Sequence, residues 1–131
     1  MRILIVDDDP SQRHLLRELI ENENEGHTLL EAGSALHAQE VIDRALASGE
    51  EIHLALIDWE LGQGLTGDYV AKHLRHGTAK FLITGHSREE IRSKWYDPLK
   101  GFLQFFQKPL QWDKLHAAIV RVDRARDSTK P

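Results

Sequence analysis

Five short apolar runs divide the chain, and after each of them the apolar residues take the spacing of an amphipathic helix. The runs cover residues 3–6, 28–32, 54–57, 81–84 and 102–106. The third run, Leu54-Ala55-Leu56-Ile57, has no polar position, which is typical of a strand buried on both faces in a parallel sheet. The pattern therefore predicts five strands, each followed by a helix.

The five helices are predicted from their apolar spacing and from the residues that start them. Asp9-Pro10 and Ser34 are typical of helix starts, and Ser87 with Glu90 forms a capping-box pattern. The apolar positions are Leu15, Leu16, Leu19 and Ile20 in the first helix, Leu36, Val41, Ile42, Ala45 and Leu46 in the second, Tyr69, Val70 and Leu74 in the third, Ile91 and Trp95 in the fourth, and Leu115, Ala118, Ile119 and Val122 in the fifth.

The alternation of strands and helices predicts an α/β fold, a doubly wound five-stranded parallel sheet of the flavodoxin-like (βα)5 type. Five strands in one domain fit the order 2-1-3-4-5, in which the first and third strands are neighbours. We expect one domain over residues 1–124 and a polar, frayed C-terminal tail over residues 125–131.

Composition narrows the possible functions. Of the 131 residues, 40% are apolar and 29% are charged, and there is no cysteine for a disulfide, a thiolate nucleophile or a cysteine metal site. No apolar run approaches the roughly 18 residues of a membrane span, and the start of the chain leaves no room for a signal peptide, so we expect a cytoplasmic protein without a membrane partner. A net charge of −4 without a basic stripe argues against nucleic-acid binding. His73 and His76 lack a third ligand nearby and are interpreted as surface residues.

Chemically active side chains lie at the carboxyl ends of the predicted strands. They are Asp7 and Asp8 after the first strand, Asp58 after the third, Thr84 at the end of the fourth and Lys108 after the fifth. Ligands bind at this edge of a doubly wound sheet, and clustered carboxylates repel one another unless a cation lies among them. Their oxygens suit Mg²⁺, while Lys108 supplies a positive charge and Thr84 a hydroxyl donor. We interpret the set as a phosphoryl-transfer site in which Asp58 is the nucleophile and forms an aspartyl phosphate.

From residue 3 to about residue 123, the sequence resembles the receiver domain of two-component response regulators. The pieces that carry the resemblance are Ile5-Val6-Asp7-Asp8, Glu31-Ala32-Gly33-Ser34, Leu56-Ile57-Asp58, Leu82-Ile83-Thr84-Gly85 and Phe105-Phe106-Gln107-Lys108-Pro109. Each piece is weak alone, but the set in this order and spacing is specific. The resemblance implies a signalling module of a phosphorelay that catalyses only its own phosphorylation and dephosphorylation and is otherwise not an enzyme.

The same resemblance implies a metal site for Mg²⁺. Asp8 and Asp58 would bind the ion directly, and Asp7 would act largely through water. The backbone carbonyl of Glu60 would complete the ligands that the protein provides. The implied cofactor is therefore Mg²⁺ alone.

The resemblance also assigns roles around the phosphoryl group. Asp58 would accept it, and Lys108 and Thr84 would bind its oxygens. Phe105 matches the aromatic residue whose rotamer reports phosphorylation, because a shift of Thr84 towards the phosphoryl group vacates space for a ring. Thr84 and Phe105 are thus the expected switch residues.

Partners follow from the resemblance as well. A sensor histidine kinase or a histidine phosphotransfer protein would supply the phosphoryl group, and a downstream effector protein or domain would receive the signal. The signalling surface would be the face of the fourth helix, fifth strand and fifth helix, near which Trp95 and Trp112 lie. Leu103-Gln104 replaces acidic residues that dimerising receivers often carry, so we expect a monomer or a weak homodimer.

The loop after Asp58 departs from the family pattern. Gly62 replaces the usual proline, and the glycine before the third helix, Gly67, comes one residue late. Three glycines over residues 62–67 predict a longer and softer loop. Glu60 and His86 occupy positions that flank the path of the attacking water in the family, and we hypothesise that they tune the lifetime of the phosphorylated form.

Two alternatives remain open at this point. A small haloacid-dehalogenase-like phosphohydrolase would use Asp7 as its nucleophile and Asp9 as its acid, and would leave Asp58 without a role. A receiver-like docking module would never be phosphorylated, which the complete set of acidic and basic residues disfavours.

Overall fold

The structure, a computed structural model, describes residues 1–94 and 100–128. Its five strands form one parallel sheet in the order β2-β1-β3-β4-β5. The strands are β1 (Arg2–Val6), β2 (Thr28–Ala32), β3 (Leu54–Ile57), β4 (Ala79–Thr84) and β5 (Gln104–Gln107). The predicted fold class and strand order are confirmed.

Five helices connect and cover the strands. They are α1 (Pro10–Asn22), α2 (Ala35–Ala47), α3 (Gly67–His73), α4 (Arg88–Lys94) and α5 (Trp112–Ser128). Asp9 accepts a hydrogen bond from the Ser11 N–H at the start of α1, and Ser34 accepts one from the His37 N–H at the start of α2. These predicted caps are therefore present, and they fix the point at which the chain turns from strand to helix.

The helices of the two faces build separate halves of the core. Leu4, Val6, Ala55 and Ile57 point to the face covered by α2 and α3. The alternate residues of the same strands point to the face covered by α1 and α5. All four residues of β3 are buried. Because burying each leucine or isoleucine side chain stabilises the fold by about 1.5–3 kcal/mol, β3 fixes the middle of the sheet.

Three of the apolar helical positions lie at the surface. Leu15 of α1 and Leu36 and Leu46 of α2 are exposed, although their neighbours Leu16, Ile20, Ile42 and Ala45 are buried. Each helix packs on the sheet through a narrow stripe, and these three leucines flank that stripe.

The last helix is longer than the sequence predicts. α5 continues to Ser128, into the segment predicted as a frayed tail. An ion pair between Arg126 and Asp123, at 3.2 Å, lies in its last turns and supports them. Trp95, predicted in the fourth helix, lies outside the described residues. Within the described ranges, no helix is long and apolar enough to cross a membrane.

Candidate functional site

The acidic site lies at the carboxyl ends of the two central strands. Val6 of β1 pairs with Ile57 of β3, so the next residues, Asp7 and Asp58, leave the sheet side by side. The Asp58 N–H donates to the Val6 carbonyl at 2.9 Å and keeps the two exits together. This is the switch point of the doubly wound sheet, where ligands bind in such folds.

Asp7 is the most buried carboxylate of the site, with a side chain that is 5% exposed. Its Oδ1 accepts from the Asp9 N–H at 2.9 Å, and its Oδ2 lies 3.2 Å from Lys108 Nζ. Its backbone carbonyl accepts from the Arg13 guanidinium at 2.7 Å. The start of α1 thus holds Asp7 by both its side chain and its backbone.

Lys108 supplies the positive charge of the site. Its N–H donates to the Thr84 carbonyl at 2.7 Å, which ties the end of β5 to the end of β4. Its Nζ lies 3.2 Å from Asp7 Oδ2 and 3.6 Å from Asp58 Oδ2. One ammonium group therefore faces two carboxylates.

Asp58 is the carboxylate whose protonation the site alters most clearly. Burial raises the pKa of Asp58 from its ordinary value of 3.8 to about 6, and the negative charge of Asp7 adds to the effect. Lys108 and the Trp59 N–H, which donates to Oδ1 at 2.8 Å, act in the opposite direction. The Trp59 contact leaves Oδ2 as the oxygen that faces Lys108.

Asp8 completes the acidic group from the exposed side. One carboxylate oxygen from each of Asp7, Asp8 and Asp58 lies within 4.8 Å of the others. Three negative charges and one ammonium group leave an excess of two negative charges. Hard carboxylate oxygens in such a group fit Mg²⁺, which is bound through one or two carboxylates and keeps several waters.

The loop after Asp58 has more structure than its glycines predict. Glu60 forms an isolated antiparallel bridge with Thr66, and the hydrogen bonds beside it join Leu61 to Leu65 and Gly67 to Trp59. Those bonds use the groups of the neighbouring residues, so the Glu60 carbonyl takes no part in them. The loop is therefore a closed turn.

Gly67 is required by a close contact. A Cβ atom at this position would lie 2.6 Å from the backbone oxygen of Asp58. The N–H of Gly67 also donates to the Trp59 carbonyl at 2.8 Å. Gly67 therefore lies where the first turn of α3 packs against the backbone that follows β3.

Glu60 and His86 are in direct contact. His86 Nε2 lies 2.6 Å from Glu60 Oε1, and its Nδ1 lies 3.2 Å from Oε2 of Glu90 in α4. Hydrogen bonds to Glu90 and Glu60 raise the pKa of His86, and the bond to Glu90 has the larger effect. The His86 N–H donates to Thr84 Oγ1 at 3.3 Å, so the same residue also touches the buried hydroxyl at the end of β4.

Phe105 lies beside a small third cluster of the core. Trp59, Leu82 and Ile91 form this cluster, and Phe105 packs against it while half-buried. The Arg88 guanidinium lies 5.0 Å from the centre of the Phe105 ring. The ring therefore has an apolar inner neighbour and a cationic outer neighbour.

Several contacts of the site were not expected from the sequence. Arg13, Trp59 and Glu90 each touch a predicted site residue, as described above. Of these three contacts, the sequence signals only that of His86 with Glu90, through their spacing of four residues across the start of α4.

The remaining aromatic and histidine predictions fall outside the acidic site. Trp112 is half-buried and stacks on His116, with ring centres 5.3 Å apart. His73 Nδ1 contacts the Tyr69 carbonyl at 2.8 Å. Among the described residues, neither His73 nor His76 belongs to a group of metal ligands.

The fold and the acidic edge define a doubly wound α/β domain with an anionic pocket at its switch point. Residues 3–120 match the family model described as the response regulator receiver domain. The chain therefore belongs to the response regulator receiver domain family. Receiver domains are signalling modules of two-component systems and are generally not enzymes, so the phosphohydrolase alternative is not supported.

Solved structures agree with this assignment. A CheY-like receiver domain protein from Methanospirillum hungatei JF-1 is 27% identical, with a TM-score of 0.72 and 97% of each chain covered. The response regulator protein TrrA from Thermotoga maritima, solved in complex with Mg(2+)-BeF, is 27% identical, with a TM-score of 0.70 over 92% of this chain and 97% of that one. A receiver domain protein from Clostridium thermocellum shares the fold at 20% identity, with a TM-score of 0.77 and 98% of each chain covered. No curated protein matches the chain.

Proposed function

We propose that this receiver domain accepts a phosphoryl group on Asp58 in a reaction that depends on Mg²⁺. The observation that carries the proposal is the proximity of the Asp58 carboxylate to Lys108 Nζ, 3.6 Å from Oδ2, and to the two carboxylates that follow β1. A nucleophile in this position has a cation and potential metal ligands beside it.

The metal ligands of the proposal are Asp8 and Asp58 directly, Asp7 largely through water, and the Glu60 carbonyl. The excess of two negative charges in the pocket supports a divalent cation there, as does the Mg(2+)-BeF complex of TrrA. The ion, when bound, neutralises charge on the transferred phosphoryl group. Because the Glu60 carbonyl takes no part in the bonds beside its bridge, it is available as a ligand.

The protein groups share the work of the transfer. Asp58 Oδ2 forms the new bond to phosphorus while the bond between phosphorus and the donor breaks, and the Trp59 N–H holds the other oxygen of Asp58. Lys108 Nζ and the Thr84 hydroxyl bind oxygens of the phosphoryl group. Their contribution is position and charge neutralisation.

The switch of the proposal consists of Thr84 and Phe105. Thr84 Oγ1 accepts a long hydrogen bond from the His86 N–H at 3.3 Å, and the O–H of Thr84 is the group that would donate to a phosphoryl oxygen. A shift of Thr84 would open space at the end of β4, and the half-buried Phe105 ring packs nearby against Leu82 of the same strand. Rotation of the ring changes the surface of α4, β5 and α5, which would contact the effector.

The partners of the proposal are a sensor histidine kinase or a histidine phosphotransfer protein as phosphoryl donor, and an effector protein or domain as recipient of the signal. The family and its multidomain relatives support partners of these classes. One such relative is the receiver domain of an HD-domain-containing protein from Pseudomonas fluorescens Pf-5, 22% identical with a TM-score of 0.76. The acidic pocket opens at the edge where a phosphorylated histidine of a partner can approach Asp58.

The test is mass spectrometry after incubation with acetyl phosphate and Mg²⁺. We expect one phosphoryl group on Asp58, none in Asp58→Asn, and a phosphoryl group still on Asp58 in Asp7→Asn. Asp9→Asn is the matched control, because it removes one nearby carboxylate and keeps the helix cap. A phosphoryl group on Asp7 would instead indicate a hydrolase nucleophile, and no phosphoryl group on any residue would leave only a docking module.

We further propose that Glu60 and His86 set the lifetime of the phosphorylated form. Their 2.6 Å contact joins the segment after β3 to the segment after β4, on either side of the water path expected from the family. The double variant Glu60→Ala, His86→Ala is expected to change the dephosphorylation rate. Glu89→Gln is the control, since it removes an exposed carboxylate of α4 and leaves the contacts of His86 with Glu60 and Glu90 in place. An unchanged rate in the double variant would remove this assignment.

A further inference from the structure

A second group of potential metal ligands lies far along the chain from the acidic pocket. Glu23 and Glu25 belong to the segment between α1 and β2, and His116 belongs to α5. His116 Nε2 is 2.9 Å from Oε1 of Glu25 and 3.4 Å from Oε2 of Glu23. One ligand atom from each residue lies within 4.8 Å of the other two. A nitrogen and two oxygens thus lie close enough together to share one ion.

The two distances from His116 are close to those expected around a tetrahedral ion of the size of Zn²⁺. Bonds of about 2.1 Å from zinc to nitrogen or oxygen place neighbouring ligand atoms about 3.4 Å apart. The contact of His116 with Glu23 already has this length, and the contact with Glu25 has to open by about 0.5 Å. Small rotations of exposed carboxylates achieve this change.

Neighbouring side chains hold the ligands in place. The Trp112 ring stacks on His116 at an interplanar angle of 22°, and its indole N–H lies 3.4 Å from Oε1 of Glu23. One oxygen of Glu23 is therefore oriented by Trp112, and the other faces the imidazole. A hydrogen bond to a ligating carboxylate is typical of metal sites, and the stacked ring restricts the orientation of His116.

The group also lacks a cation that balances it. Within residues 1–94 and 100–128, neither Glu23 nor Glu25 forms an ion pair with lysine or arginine. His27, 3.8 Å from Glu25, has a side chain that is only 3% exposed. Within these ranges the two carboxylates therefore have no lysine or arginine beside them to balance their charge.

We propose that Glu23, Glu25 and His116 bind one Zn²⁺ ion at this position. The lone pair of His116 Nε2 and one oxygen of each carboxylate bind the metal, and water takes the fourth place. A proton carried by Nε2 passes to solvent. The ion joins α5 to the segment that follows α1. Helix α1, about 20 Å long, separates this site from the acidic pocket, so the inference does not rest on the proposed function.

Isothermal titration with Zn²⁺, in excess Mg²⁺ that occupies the acidic pocket, tests the proposal. We expect one Zn²⁺ per wild-type chain and a loss of affinity of at least about tenfold in both Glu25→Gln and His116→Gln. Asp58→Asn is expected to retain this binding. His14→Gln is the matched control, because His14 forms a similar 3.0 Å contact with Glu18 but with one carboxylate only.

Thermal unfolding provides a second measurement on the same variants. Zn²⁺ is expected to raise the melting temperature of the wild type and of His14→Gln, and to leave that of His116→Gln unchanged. Equal Zn²⁺ affinity in the wild type, Glu25→Gln and His116→Gln would overturn the proposal. So would a loss of binding in His14→Gln, or no binding to the wild type.

Discussion

Replacement of Asp58 by asparagine is expected to stabilise the metal-free protein at neutral pH. In the folded chain the Asp58 carboxylate lies beside the carboxylate of Asp7 and is largely removed from water. Asparagine has almost the same shape, and its side-chain oxygen can still accept from the Trp59 N–H. The substitution therefore removes a repelled charge and leaves the packing unchanged.

The magnitude follows from the protonation of Asp58. Its pKa is about 6 in the folded protein, against an ordinary value of 3.8. This difference corresponds to about 3 kcal/mol for the fully ionised group. Solvent and salt screen a pocket that opens to the surface, so we expect a gain of about 1–2 kcal/mol. In a domain of this size, the melting temperature rises by about 4–8 °C.

The upward direction of the Asp58 pKa shift predicts a specific pH dependence of stability. Because the folded pKa is raised, the protonated carboxyl favours the folded state, and this stability is lost as the pH rises through the folded value of about 6. The advantage of Asp58→Asn is therefore near zero at about pH 4 and fully present at about pH 7.5. Urea unfolding in EDTA at the two pH values measures it.

Asp9→Asn serves as the control for this experiment. This variant also removes one negative charge near the pocket, and asparagine remains a good N-cap for α1. We expect it to change the free energy of unfolding by less than about 0.5 kcal/mol at either pH. Equal stability of Asp58→Asn and the wild type at about pH 7.5, or the same gain at both pH values, would refute the clustering of charge on which the site depends.

Three further predictions concern residues that support the structure around the site. Gly67→Ala is expected to destabilise the fold by about 1–3 kcal/mol in urea unfolding, because its Cβ would lie 2.6 Å from the Asp58 oxygen. Trp59→Ala is expected to cost about 3–5 kcal/mol in the same assay, since it empties the centre of the small core cluster beneath α4. Glu31→Gln, which removes ion pairs with two arginines of α1 that are 20% and 33% exposed, is expected to lower the melting temperature by only a few degrees, a loss below about 1 kcal/mol.

The sequence predicts those features of the fold that are decided locally. The apolar run of β3, the caps Asp9 and Ser34, and the pairing of Ser87 with Glu90 all act within a few residues of chain. The Ser87 N–H donates to Glu90 and the Glu90 N–H donates to Ser87, at 3.2 and 3.1 Å. Such signals are readable because each is a contact between near neighbours.

Features that depend on tertiary packing are not readable in the same way. The apolar spacing of α1 and α2 does not distinguish the buried Leu16 from the exposed Leu15 and Leu36, since only the approach of the sheet decides which side is covered. The glycines of the loop after β3 predict softness, but the bridge between Glu60 and Thr66 closes it.

The acidic site is predictable in part from the sequence and depends in part on tertiary packing. Its residues were predicted because parallel strands bring their carboxyl ends to one edge whatever the loops do. What holds them there was not predicted, because the Arg13 contact with the Asp7 carbonyl and the contact of the Gly67 backbone with Asp58 need the folded chain.

The contacts of His86 connect the acidic pocket to α4. Its N–H donates to the Thr84 hydroxyl, and its ring lies between Glu60 and Glu90. If Thr84 turns to a phosphoryl oxygen, as proposed, the His86 N–H loses its acceptor and the segment that starts α4 is released on that side. The ring still contacts Glu90 of α4, the helix whose Arg88 guanidinium lies 5.0 Å from the centre of the Phe105 ring. Through its backbone N–H and its two ring nitrogens, His86 thus contacts three different parts of the chain between the pocket and the proposed signalling surface.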